Sequence, residues 1–151
     1  MIKQISIMIK ECDLAIYGRK FWVILNPTYE EIKDRFTIYQ DGTNDEYDQF
    51  TVTNYNEIVD TKFDGNTVRA ADSQTNRKGY LVFIFNDFKS ESDLPRLVNT
   101  VDHESGHVAD FLHEDLGMRN CDTEDNSYLI GYIGEKIMEA ILDNKNQTIK
   151  Q

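Results

Sequence analysis

At 151 residues the chain has room for one domain with a real core, and its composition, 40% hydrophobic and 28% charged, is ordinary for a globular protein. A formal net charge of −11 weighs against nucleic acid or an anionic membrane surface as a partner, because holding phosphates takes clustered Lys and Arg. No run approaches the roughly 18 consecutive apolar residues of a membrane-spanning helix. The opening segment MIKQISIMIKECDLAIYG is interrupted by Lys10, Glu11 and Asp13, which does not fit a secretory leader. Cys12 and Cys121 form no CxxC pair and read as reduced thiols of a cytoplasmic protein. There is no internal repeat, low-complexity tract or linker, so residues 1–151 are expected to form a single domain.

The first half is predicted to be β-rich. Lys20 to Leu25, KFWVIL, is a short apolar run with β-branched and aromatic members, ended by Asn26-Pro27. Thr28 and Glu31 have capping-box spacing, which predicts a short helix to about Phe36. A strand over Phe36 to Tyr39 and a turn at Asp41-Gly42 follow. Residues 41–65 carry seven Asp or Glu against one Lys and read as a solvated loop with one or two edge strands. After a turn at Asp64-Gly65, Thr67 to Ala71 and Tyr80 to Phe85 are predicted strands. The second, YLVFIF, is continuously apolar, the pattern of a strand buried on both faces.

The second half is predicted to be two helices. Ser92 or Asp93 offers an N-cap, and Pro95 is tolerated in a first turn. Leu94, Leu97, Val98, Val101, Val108, Phe111 and Leu112 recur at helical spacing up to Gly117, a natural residue to end a helix. A second helix is predicted from near Asp122 or Thr123 to about Leu142, with Ile130, Ile133, Ile137 and Ile141 as its buried stripe and a frayed polar tail.

All three histidines fall in NTVDHESGHVADFLHEDLGM, residues 99–118. His103 and His107, one helical turn apart, share a face, so both imidazoles can converge on one ion. Glu104 can take a proton from a water held by that ion, which is the chemical content of an HExxH pattern. On a wheel of about 100° per residue the two histidines lie well off the apolar stripe, with Glu104 between stripe and histidines. Zinc needs a third protein ligand. His113 has the spacing of the metzincin motif, but Asp110 stands where that motif has a helix-breaking glycine, and a continuing helix points His113 away. His113 then reads as a cation near a helix C-terminus. A carboxylate from the second helix is the other source: Glu124 in its first turn, with Asp125 and Glu135 as alternatives. Asp110 lies on the ligand side, where it can accept the outer N–H of a ligand histidine, and Tyr128 reads as a packing residue.

HESGH on a long helix, preceded by YLVFIF and followed by a helix with an early Glu, resembles the minimal zincin core of gluzincin type. More narrowly, HESGHVADFLHEDLGM followed by EDNSYLIGYI resembles small HExxH proteins of tailed phages and prophages. The resemblance implies an α+β fold: a small N-terminal β-sheet with a short helix, then two long helices carrying the zincin core. It implies Zn2+ on His103, His107 and Glu124, Glu104 as general base, and hydrolysis of a peptide or protein in the cytoplasm of a bacterial host. It also implies that the strand before the HESGH helix borders the cleft and binds an extended peptide. Two readings compete with the peptidase: a non-catalytic, zinc-stabilised phage accessory or binding protein, and a metal-free interaction domain whose acidic surface mimics nucleic acid.

Overall fold

The computed structural model describes residues 7–40, 47–60, 62–85, 88–118 and 123–149. The fold is α+β, with one six-stranded sheet in the first half and two long helices in the second. The chain divides into two units, Met1–Phe85 and Asn86–Gln151.

The first unit runs β1 (Met8–Leu14), β2 (Arg19–Leu25), α1 (Tyr29–Arg35), β3 (Phe36–Tyr39), β4 (Tyr47–Gln49), α2 (Val52–Ile58), β5 (Gly65–Asp72) and β6 (Lys78–Ile84). In the sheet the order is β1-β2-β6-β5-β3-β4. Among the described residues only the β2–β6 pair is parallel. Those two strands are the most apolar and are buried along both faces, which is the environment a continuous apolar run such as YLVFIF requires. Where they pair there is no room for a side chain at Gly79: a Cβ there would lie 1.9 Å from the Lys20 carbonyl oxygen and 2.8 Å from the Trp22 ring.

Trp22 is the largest fully buried side chain and anchors a cluster with Ile24, Ile32, Phe36, Leu81 and Phe83. It meets Phe36 edge-on at 5.1 Å, the geometry that the ring quadrupoles favour. Its indole Nε1 donates to Glu11 Oε1 at 3.1 Å, so the buried polar atom is satisfied.

Three features of this unit depart from expectation. β1 is a full strand although Lys10, Glu11 and Asp13 break its apolar pattern, because it needs only one paired edge and Glu11 reaches back to Lys20 and Trp22 on β2. The acidic stretch contains a helix, α2, opened by a reciprocal cap: Asn54 N donates to Thr51 Oγ1 at 3.1 Å and Thr51 N donates to Asn54 Oδ1 at 2.8 Å. A Thr-x-x-Asn pair does the work usually given to Ser/Thr-x-x-Glu. Conversely, Thr28 takes the cap position of α1 but makes no side-chain cap bond, so the Thr28–Glu31 box is not formed. Acidic residues in the first turn and Lys33 and Arg35 in the last still suit the helix dipole. The expected turn at Asp41-Gly42 lies outside the described residues.

The second unit is a helical hairpin of α3 (Leu94–Asp115) and α4 (Thr123–Ile149). A 3-10 turn, Glu91–Asp93, precedes α3; Ser90 caps that turn in a box with Asp93, and Asp93 takes the expected N-cap position of α3 without a side-chain cap bond. Gly117, at φ 62°, ends α3 as expected: its N–H donates to Glu114 O at 3.2 Å and the Met118 N–H to His113 O at 2.9 Å, a Schellman motif. α4 continues past the expected end near Leu142 to Ile149, because no Gly or Pro stops it and Lys145 Nζ donates to the Phe88 carbonyl. Its buried stripe is Leu129, Ile133, Ile137, Ala140 and Ile141, with Ile130 only half-buried.

Gly134 marks where the helices meet, since a Cβ there would lie 3.3 Å from Ser105 Oγ and 3.5 Å from Val101 Cγ1. Gly134 stands eleven residues beyond Thr123, and Ser105 ten before Asp115, so the two arms match as in an antiparallel hairpin. Parallel helices with this contact would need a connection of about 34 Å, and the eight Cα steps from Asp115 to Thr123 reach only about 28 Å.

Candidate metal centre

α3 is unbroken from Leu94 to Asp115, so the whole HESGH segment is helical. The rings of His103 and His107 meet edge to face, centroids 4.4 Å apart, with the two Nε2 atoms 2.9 Å from each other. Two nitrogens on one tetrahedral zinc, at Zn–N of about 2.0–2.1 Å, stand roughly 3.3 Å apart. The pair is therefore within a few tenths of an ångström of the spacing an ion requires. A 2.9 Å contact between imidazole nitrogens needs one N–H donor and one lone pair, and a bound cation replaces that proton. His103 is exposed, and His107 is half-buried with its ring stacked near Phe111 at 6.2 Å. The sequence carried no separate signal for Phe111 as a neighbour of the site.

Glu104 is 3% exposed. Its side chain lies about 60° round the helix from His107, towards the buried side that carries Val108 and Ser105, and Thr100, about 20° from His107, is buried as well. Ser105 Oγ donates back to Val101 O at 2.5 Å, which satisfies a hydroxyl at the helix–helix contact. Asp110 is exposed on the histidine side and makes no hydrogen bond to either ring among the described residues.

His113 does not join the pair. It is 8% exposed, its Nδ1 has no hydrogen-bond partner among the described residues, and the helix carries it away from the other two rings. It is buried near the C-terminal end of α3, the helix end at which the sequence placed it. Asn126 Oδ1, on α4, is also buried without a partner.

The position of α4 decides which carboxylates come near. Val101 and Ser105 face Gly134, and about 100° per residue puts His103 about 180° and His107 about 140° from the midpoint of those two contacts. The second helix thus packs on the far side of α3 from the histidines. Asp125 and Glu135 are exposed on α4 and join no three-residue metal-binding group, and among the described residues no such group of His, Cys, Asp and Glu occurs. The backbone of Glu124 lies in the first turn of α4, and its side chain lies outside the described residues. Tyr128 is 73% exposed rather than packed.

The strand before the HESGH helix also differs from expectation. β6 is paired with β2 on one edge and β5 on the other, so it has no open edge for an extended peptide. Among the described residues the outer strands of the sheet are β1 and β4. Comparisons with protein-family models, curated proteins and solved structures give no match.

Proposed function

We propose that this chain is a zinc-binding protein whose site is built on His103 and His107. The observation that carries the reading is the 2.9 Å approach of two Nε2 atoms on the side of α3 away from its contact with Gly134. The residues fit two corners of a zinc site. A zinc ion held there would supply Lewis acidity, polarising a carbonyl and making water nucleophilic near neutral pH.

The motif points to peptide hydrolysis, a metallopeptidase of zincin type. In that reading His103, His107 and Glu124 hold the ion, Glu104 accepts a proton and returns it to the leaving amine, and the partner is a peptide or protein rather than nucleic acid or membrane. The host-cell cytoplasm is the location that goes with it; no helix among the described residues is long and apolar enough to cross a membrane.

A second reading, a non-catalytic zinc-stabilised accessory or binding protein, is favoured by the packing. α4 lies across α3 from the pair, Glu104 is buried, and β6 has no open edge. Glu104→Gln separates the two. Retained zinc with loss of peptide cleavage supports the peptidase. Retained zinc with no cleavage by the unaltered protein in a broad peptide-library assay leaves the accessory protein. Absence of zinc, by elemental analysis of protein refolded with the ion, removes both.

A further inference from the structure

We propose that zinc joins two copies of this chain, each copy contributing His103 and His107 to one tetrahedral site. The inference rests on the zinc reading of the pair and takes its non-catalytic form. Zinc in a structural site takes four protein ligands. One copy offers two imidazoles, the exposed His103 and the half-buried His107, and the helix that would bring a third ligand packs on the opposite side of α3. A second copy supplies the missing two with the same residues.

The surface around the pair is self-complementary. A two-fold axis through the midpoint of the pair, at the level of Ser105, sets two α3 helices antiparallel, as an isologous interface requires. Arg96 lies nine residues before Ser105 and Glu114 nine after it, so Arg96 of one copy comes level with Glu114 of the other, on both sides of the ion. On the wheel Arg96 and Glu114 both point along the mean direction of the two histidines, within about 20°. Arg96, Glu114 and His103 are exposed, and Arg96 and Glu114 would each exchange an interaction within their own chain for the pair across the axis. These two ion pairs flanking the metal would give the dimer one orientation. The net charge of −11 on each chain opposes association, so without the metal the chain should stay monomeric.

The experiment is sedimentation of the full chain in EDTA and in zinc chloride, with zinc counted per chain. The expected result is a monomer in EDTA and, with zinc, a dimer holding one ion per two chains. His103→Ala, at an exposed position and checked for folding by circular dichroism, should remain monomeric with zinc. Arg96→Glu should weaken the zinc-dependent dimer by roughly tenfold, since it turns two attractions into repulsions. Arg96→Glu combined with Glu114→Arg should recover it. A monomer with one zinc per chain overturns the shared site and leaves the zinc reading standing. Absence of zinc overturns both. A dimer that persists in EDTA or in His103→Ala, or one indifferent to the charge swap, overturns the arrangement proposed here.

Discussion

The two units of this chain spend their side chains differently. In the sheet unit the interior is apolar on both faces of β2 and β6, and its one buried indole nitrogen is satisfied by Glu11. The unit holds no histidine. The hairpin holds all three, and it buries Glu104, Ser105 and His113 as well as its aliphatic stripe. A buried nitrogen without a partner costs stability, and among the described residues of α3 His113 Nδ1 is one, so this helix is less optimised for folding than the sheet. The comparison teaches where to look for chemistry in this molecule: where the packing rule is relaxed.

Breaking the sheet should therefore cost most. Trp22→Ala empties the centre of the apolar cluster and should lower stability by about 3–5 kcal/mol, read from a urea melt. Zinc should act on the hairpin instead: at a free concentration of about one hundred times Kd it should add about 2.7 kcal/mol, and His103→Ala or His107→Ala should abolish the gain. A zinc-induced rise in melting temperature that survives both substitutions would place the ion elsewhere.

The helix crossing should respond at a third level. Gly134→Leu pushes atoms into Ser105 and Val101 and should cost about 1–3 kcal/mol. Gly134→Ala should be near neutral, because about 1 kcal/mol of gained helix propensity offsets a tight contact with Ser105 Oγ. An equal, large loss from both would show that the helices cannot shift at all.

The smallest effect is on pH dependence. The hydrogen bond from Lys20 holds the Glu11 carboxyl below its usual range. A depressed folded value means the stabilisation is present above the unfolded carboxylate value, about 4.3, and fades as pH falls through the folded one. Glu11 is part-exposed, so the contribution should be about 0.2–1 kcal/mol. Glu11→Gln should flatten the stability curve below about pH 5 by that amount, measured by melts across the acid range. An unchanged slope would mean that the Lys20 bond adds nothing.

Much of this was legible in the sequence because it is local. The runs KFWVIL and YLVFIF, the strand over Phe36–Tyr39, the helical spacing from Leu94 and the stop at Gly117 each depend on a few adjacent residues. So does the approach of His103 to His107, which one turn of helix enforces. β1 and the true end of α4 were hidden because their support comes from elsewhere, pairing to β2 and a lysine reaching Phe88, whereas α2 is opened locally by a cap that uses an unusual Asn.

Period and spacing determined that two imidazoles share one face of a long helix, and that a carboxylate stands between them and the core. They left open which way that helix is packed. Tertiary structure decided it through one small residue, Gly134, which lets α4 settle against Val101 and Ser105 on the side away from the histidines. Helical periodicity relates residues along one segment; the direction from which a second segment approaches depends on where the chain can come close, and no local pattern encodes that.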